Sequence, residues 1–180
     1  MAEARREREP AAAPLPPGAQ ERIDAMAALV RRAAPGVTFE PSADALGEVT
    51  LKMDRAQLLA LCTALKEAPE LGFDHLRFVT GVDQMDQGIE IVHSLWSYAH
   101  RHALTLKTLV PLIDPHLPSV TAIWAGADWH ERETAEMFGV VFDGHPDPRH
   151  LLLDDDLEIH PLLKAHPLAP IELKQGVNTF

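Results

Sequence analysis

The segment Leu76-Arg77-Phe78-Val79-Thr80-Gly81-Val82-Asp83 alternates residue by residue, setting Leu, Phe, Thr and Val against Arg, Val, Gly and Asp. A two-residue period is what a strand with one covered face needs, because successive side chains point to opposite sides. Asp86-Gln87-Gly88 then turns the chain into a second run, Ile89 to Tyr98, and Leu104, Leu106, Thr108 and Val110 mark a third strand that Pro111 ends. Connections this short make the three strands antiparallel neighbours.

Working outward, Glu48 to Met53 alternates as a further strand, and Asp54 with Gln57 opens a strongly amphipathic helix that runs to about Glu67. A second helix is expected from Gln20 to Ala33, with Ile23, Met26, Ala27 and Val30 on one stripe and Pro35-Gly36 stopping it. Elements with one apolar face each must cover one another, so the expected fold is α+β: a mostly antiparallel sheet covered on one face by helices. Residues 1–18 combine Ala and Pro with alternating Arg and Glu and are expected to form a disordered tail, because so little apolar surface cannot offset ordering entropy. Residues 19–115 then form the α+β globular domain. In 116–180 the recurrence of Pro118, Pro146, Pro148, Pro161, Pro167 and Pro170 leaves room for one helix and favours an extended Pro-rich C-terminal arm. Leu151, Leu152, Leu153, Leu157, Ile159 and Leu162 make that arm apolar, as a partner-binding segment would be. No internal repeat is visible.

Composition bounds the function. With 46% apolar residues, 180 positions suffice for one domain with a true core plus an arm. A net charge of -11 argues against nucleic acid and against direct binding to anionic lipid. One cysteine, Cys62, excludes an intrachain disulfide framework and a cluster ligated by this chain's own thiolates. Its place in the stripe Leu58, Leu61, Cys62, Leu65 reads as a small core residue. No run of 18 uncharged apolar residues and no N-terminal apolar h-region occur, so membrane association is expected only through partners.

The densest chemistry lies in Trp129-His130-Glu131-Arg132-Glu133-Thr134-Ala135-Glu136-Met137-Phe138-Gly139. On a helix opened by Asp128 as N-cap, with Glu131 at the capping-box position, Trp129, Glu133 and Met137 share one face, and Glu131, Ala135 and Phe138 the other. Arg132 can pair with Glu136 within the helix, whereas Glu131 and Glu133 need donors from other segments or another chain. The plain alternative is an amphipathic helix whose acids face water. Glu131 and Glu133 lie about 200° apart and cannot converge on one substrate. His145, His150, His160 and His166 among Asp143, Asp147 and Asp154 to Asp156 raise the alternative of a free-standing metal-dependent hydrolase. Against it, Thr134 stands where a His-Glu-x-x-His helix needs its second histidine, and no close ligand pair has standard zinc spacing. Gly-x-Ser-x-Gly, Gly-x-Gly-x-x-Gly and Walker patterns are missing as well.

Glu131-Arg132-Glu133, two residues, Glu136-Met137-Phe138, six residues, His145, three residues, Arg149 and then Leu151-Leu152 resembles the signature of one family, the hydrophilic 30-kilodalton-type subunit of respiratory complex I. Complex I is the proton-pumping NADH:quinone oxidoreductase. Gly88 to Tyr98, His100 to Pro111, and Leu117-Pro118-Ser119-Val120 leading to Trp124 are similar to the same family's strands and entry turn. One departure is visible: the family's Pro-Leu-Arg-Lys-Asp-type run reads Pro161-Leu162-Leu163-Lys164-Ala165 here. The resemblance implies an accessory, non-catalytic subunit of the peripheral arm of a proton-translocating complex, supporting assembly and electron transfer from NADH to quinone. Its implied partners are the quinone-site subunit and the cluster-bearing subunits, with iron-sulfur clusters, FMN and quinone held there and no cofactor, metal or catalytic residue in this chain. The implied partner interface comprises Glu131, Arg132, Glu133, Glu136, Phe138, His145, Arg149 and Lys164. The implied place is the cytoplasmic face of the inner (cell) membrane, or the matrix side if mitochondrial. Much of the motif also occurs in membrane-bound energy-converting hydrogenases and formate hydrogenlyase-type complexes, whose equivalent subunit is the nearest alternative.

Overall fold

The computed structural model describes residues 15–154, 157 and 159–165. In order these form α1 (Ala19–Ala33), β1 (Phe39–Ala43), β2 (Val49–Met53), a 3-10 turn (Arg55–Gln57) leading into α2 (Leu58–Glu67), β3 (His75–Asp83), β4 (Ile89–Ser97), β5 (His102–Val110), β6 (His116–Pro118), α3 (Ala127–Phe138) and β7 (Val141–Asp143). The expected tail, 1–18, lies largely outside the described residues, as does the end of the chain beyond Ala165.

Five strands form one sheet in the order β1-β2-β5-β4-β3. The central meander is antiparallel as its short turns require, with His93 between Val79 and Leu106. Gly88 makes the β3–β4 turn possible, because it sits at φ +120° and a Cβ there would run into the Val110 carbonyl. β2 joins the other side of β5 in parallel, with Leu51 opposite Leu106, and β1 closes that edge antiparallel to β2. A parallel neighbour separated by a helix and two strands leaves no local trace in the sequence.

The inward stripes of α1 (Ile23, Met26, Val30) and α2 (Leu58, Leu61, Cys62, Leu65) meet Val49, Leu51, Ile91, Leu95, Leu104 and Leu106 in one core, all buried. The same core continues through Leu117, Val120, Trp124, Ala127 and Phe138, so it crosses Pro115 without a break. Trp124 ties the entry turn to α2's exit by donating Nε1–H to the Phe73 carbonyl at 2.9 Å.

β3 departs from the simple alternation. A bulge between Leu76 and Phe78 shifts its register against β4, so Leu76 shares the buried face with Val79 and Asp83, while Phe78 and Val82 are exposed on the other side. One extra residue exchanges the two faces of everything that follows it. Gly81 then lies inward, and the Phe138 ring of α3 rests where its Cβ would be, 2.6 Å from that position.

The opposite face of the sheet is partly solvated and held by polar cross-strand contacts. Glu48 accepts from Arg77 and from the Thr105 hydroxyl at 2.9 Å, and Lys107 pairs with Glu90 at 3.1 Å. The two short strands β6 and β7 pair in parallel, Leu117 opposite Phe142, and anchor both sides of α3.

Candidate functional site

α3 begins at Ala127 with Gly126 as its N-cap and no side-chain cap, so Asp128 and Glu131 do not form the expected capping arrangement. Glu131 instead turns into the protein and is completely buried. Its Oε1 accepts the Val120 N–H at 2.7 Å, which satisfies one donor of the entry turn. Its Oε2 has no hydrogen-bond partner. Burial pushes the Glu131 carboxyl up from its ordinary range, opposed by the Ser119 hydroxyl, the Val120 N–H and His145, and reinforced by Asp128.

His145 reaches the same spot from the loop after β7. Its Nδ1 accepts the Asp147 N–H at 3.0 Å, so the ring proton is assigned to Nε2, which donates to the Asp128 carbonyl at 3.1 Å. That nitrogen lies 3.6 Å from Asp128 Oδ1 and 3.9 Å from Glu131 Oε2. Both oxygens are buried and unpartnered.

Glu136, five residues further along α3, is treated quite differently. Its carboxylate accepts three consecutive N–H groups of the arm: Leu151 at 2.9 Å, Leu152 at 3.1 Å and Leu153 at 3.3 Å. Such a run of amides around a charge is a strong anion seat. The end of the helix completes the clasp. His160 donates Nδ1–H to the Glu136 carbonyl at 2.8 Å, and Leu162 donates its N–H to the Met137 carbonyl at 3.2 Å. Gly139 ends α3 at φ +74°, and a Cβ there would meet the His160 ring at 2.7 Å.

Arg132 does not pair with Glu136. Its guanidinium donates to the carbonyls of Arg149 at 2.8 Å and His150 at 2.7 Å, with Asp147 at 3.6 Å. Arg149 grips Asp147 with two 2.7 Å bonds, and its guanidinium holds that exposed carboxyl well below the usual range. Lys164 donates its main-chain N–H to Asp83 Oδ2 at 2.7 Å, bringing the arm back to the end of β3. Phe138 is buried on Gly81, and Glu133 is exposed beside Trp129.

Of the eight expected interface residues, Glu131, Arg132, Glu136, Phe138, His145, Arg149 and Lys164 therefore make contacts within the chain. Arg132, Glu136 and Lys164 among them hold the arm against α3 and the end of β3, while Glu131 and Phe138 fasten α3 to the entry turn and to β3. What they leave outward are large apolar side chains: Trp129 on α3, and Leu152, Leu157, Ile159 and Leu162 on the arm. The sequence reading gives Asp83 no role, takes Asp128 for an N-cap and places Asp147 in a cluster of histidines and aspartates, whereas here Asp83 receives the arm, Asp128 faces His145 and Asp147 pairs with Arg149. Only Asp147 carried a local signal, its two-residue spacing to Arg149. Of the arm's histidines, His150 bonds to the Asp154 carbonyl and His160 to that of Glu136, and His166 lies outside the described residues. Among the described residues no three His, Cys, Asp or Glu side chains gather as a metal-holding group. Also among these residues, no helix is long and apolar enough to cross a membrane.

Residues 51–172 match the family described as the 30 Kd subunit of respiratory-chain NADH dehydrogenase. The chain is 40% identical over 133 residues to the C subunit of NADH-quinone oxidoreductase from Saccharopolyspora erythraea, covering 71% of this chain and 53% of that relative. To the same subunit from Nocardioides it is 36% identical over 161 residues, covering 87% and 64%. The Roseiflexus castenholzii counterpart is 37% identical, with 76% and 80% covered. The chain thus spans between about half and four fifths of the length of these curated relatives. Among solved structures, a trypsin-resistant fragment of Nqo5 superposes with a TM-score of 0.59 at 26% identity, over 70% of this chain and 98% of the fragment. A chain of an archaeal membrane-bound sulfane sulfur reductase shares the fold, with a TM-score of 0.67 at 22% identity over 81% and 85%.

Proposed function

This chain belongs to the family of the 30 kDa subunit of respiratory-chain NADH dehydrogenase, and from that membership we propose that it is an accessory, non-catalytic subunit of the peripheral arm of a proton-translocating NADH:quinone oxidoreductase. Its task is mechanical. It holds the quinone-site subunit and the cluster-bearing subunits in register, since electron transfer and quinone docking tolerate little displacement. Iron-sulfur clusters, FMN and quinone reside in those partners, and the chain meets the cytoplasmic face of the membrane only through them.

One observation carries this reading. The family's motif residues are spent on shaping the chain itself: Glu136 and Arg132 fix the arm by its main chain, so that Trp129, Leu152, Ile159 and Leu162 remain outward on a rigid support. A surface of large apolar groups on ordered backbone is suited to a permanent protein interface. Glu133 on the exposed face and Lys164 at the arm's return offer charge at its margin.

The test is purification of the native assembly through a tag on this chain, with mass spectrometry of the co-purifying subunits and an assay of NADH:quinone activity. Recovery of quinone-site, cluster-bearing and NADH-oxidising subunits, with activity lost on dissociation, is the expected result. Hydrogenase or formate hydrogenlyase subunits in their place would transfer the same scaffold role to that assembly. A lone chain holding stoichiometric zinc would overturn both.

A further inference from the structure

Glu131, His145 and Arg132 line a cavity of about 150 Å³ whose remaining walls are apolar, among them Ala135, Val140 and Phe142. Val141, about half exposed, belongs to the same lining and opens it to the outside. Glu131 is wholly buried, yet its Oε2 has no donor, and the same holds for the buried Oδ1 of Asp128 next to it. His145 bonds to neither oxygen: its Nδ1 accepts the Asp147 N–H, and its Nε2–H is directed to the Asp128 main-chain carbonyl, with Nε2 3.9 Å from Glu131 Oε2 and 3.6 Å from Asp128 Oδ1. Arg132 also borders the cavity, but its guanidinium is committed to two arm carbonyls and Asp147. Asp147 is matched by Arg149, and Cys62 is a thiol whose pKa burial and Glu131 both push up, so neither supplies a counter-charge.

We propose that this cavity receives a lysine side chain from a partner subunit, its ammonium seated on Glu131 and its aliphatic stem against the apolar wall. An ammonium offers three donors and a full charge to Glu131 Oε2, which has no hydrogen-bond partner, whereas a water would bring donors without charge. The stem of a lysine is apolar and needs walls such as Val140 and Phe142. The strongly acidic chain also favours a basic partner. This seat rests on the scaffold reading only in requiring that a partner exists. Docking is proton-linked: an ammonium opposes the upward push of burial on the Glu131 carboxyl and so favours its ionised form.

Two measurements test it. In the full chain, n-butylammonium is titrated against the methyl resonances of Ala135, Val140 and Val141. Shifts at all three, with proton release detected by calorimetry in two buffers, are expected in the wild type and lost in Glu131→Gln and, as read at Ala135 and Val140, in the cavity-filling Val141→Trp. In the tagged assembly, a photo-crosslinking residue at position 141 should label a partner segment containing a lysine, and Glu131→Gln should weaken retention of that partner about tenfold. Methyl shifts that persist in Glu131→Gln, no shifts at all, an ordered water as the cavity's sole occupant, or crosslinks to a segment without lysine or to this chain's own Lys174 would each overturn it. Loss of the expected respiratory subunits from the assembly would instead overturn the scaffold reading, while the butylammonium titration would still decide the cavity.

Discussion

The two halves of α3 each bury a glutamate, and they treat it in opposite ways. At the C-terminal half Glu136 receives three arm amides, its helix end is closed by His160 and Leu162, and the arm is locked down. At the N-terminal half Glu131 receives one amide and keeps an oxygen idle, beside an equally idle oxygen of Asp128 and over a cavity. A charge surrounded by donors is part of the fold. A charge buried without them raises the free energy of the isolated chain and is relieved by whatever later supplies a cation. The comparison separates residues that build the surface from the place where that surface is incomplete.

The largest expected effect sharpens the closed half. Glu136→Ala removes charge-assisted bonds to three amides, each worth about 1.5–3 kcal/mol when the acceptor is charged, less what water restores. Loss of about 4 kcal/mol in urea unfolding, with rapid proteolysis confined to the arm, is expected; a loss below about 1 kcal/mol would show that the amides do not depend on Glu136.

Next comes a buried base that is likewise without partners. His93, fully buried on β4 with both ring nitrogens unbonded, has its pKa lowered from 6.5 to about 4 by desolvation. Because the folded value is depressed, the unfolded chain binds the proton first. Stability is therefore whole above pH 6.5 and falls as the pH drops from there toward 4, by up to about 3 kcal/mol. Urea titrations of wild type and His93→Leu across that window check it, with the variant losing this dependence.

Glu131 has the reverse sign. Its folded pKa is raised, so its contribution is complete below the ordinary carboxylate pKa and is lost as the pH rises through the folded value. Glu131→Gln keeps an acceptor for the Val120 N–H and should change stability at neutral pH by no more than about 1 kcal/mol, flattening the pH curve on its alkaline side. A loss as large as that of Glu136→Ala would erase the contrast between the two halves.

The smallest effect is on the outer face. Glu133→Ala, exposed beside Trp129, should move the melting of the full chain by less than about 0.5 kcal/mol while reducing recovery of partners from the tagged assembly. Loss of cooperative melting in that variant would make Glu133 a folding residue.

The meander β3-β4-β5, the stripes of α1 and α2 and the position of the motif helix could be read from periodicity and short turns, because those signals act within a dozen residues. β6 and β7 could not, nor could the parallel pairing of β2 with β5, since each depends on a partner far along the chain; β1 pairs with nearby β2, but the short segment around Pro41 carries no strong strand signal of its own. The bulge at Arg77 is the sharpest case: the alternation in the sequence is real, but one unpaired residue exchanges its faces, which places Gly81 rather than Thr80 under Phe138. The motif's residue types likewise announced buried charge without saying where each charge goes. Composition and local pattern by themselves determined that this chain has an α+β core, a strongly acidic balance and a charged helix followed by an apolar arm. Only the tertiary structure decided that Glu136 would meet three amides and Glu131 one. A hydrogen bond is made or left unmade by the arrival of groups from distant segments, and no periodicity within the helix encodes that arrival.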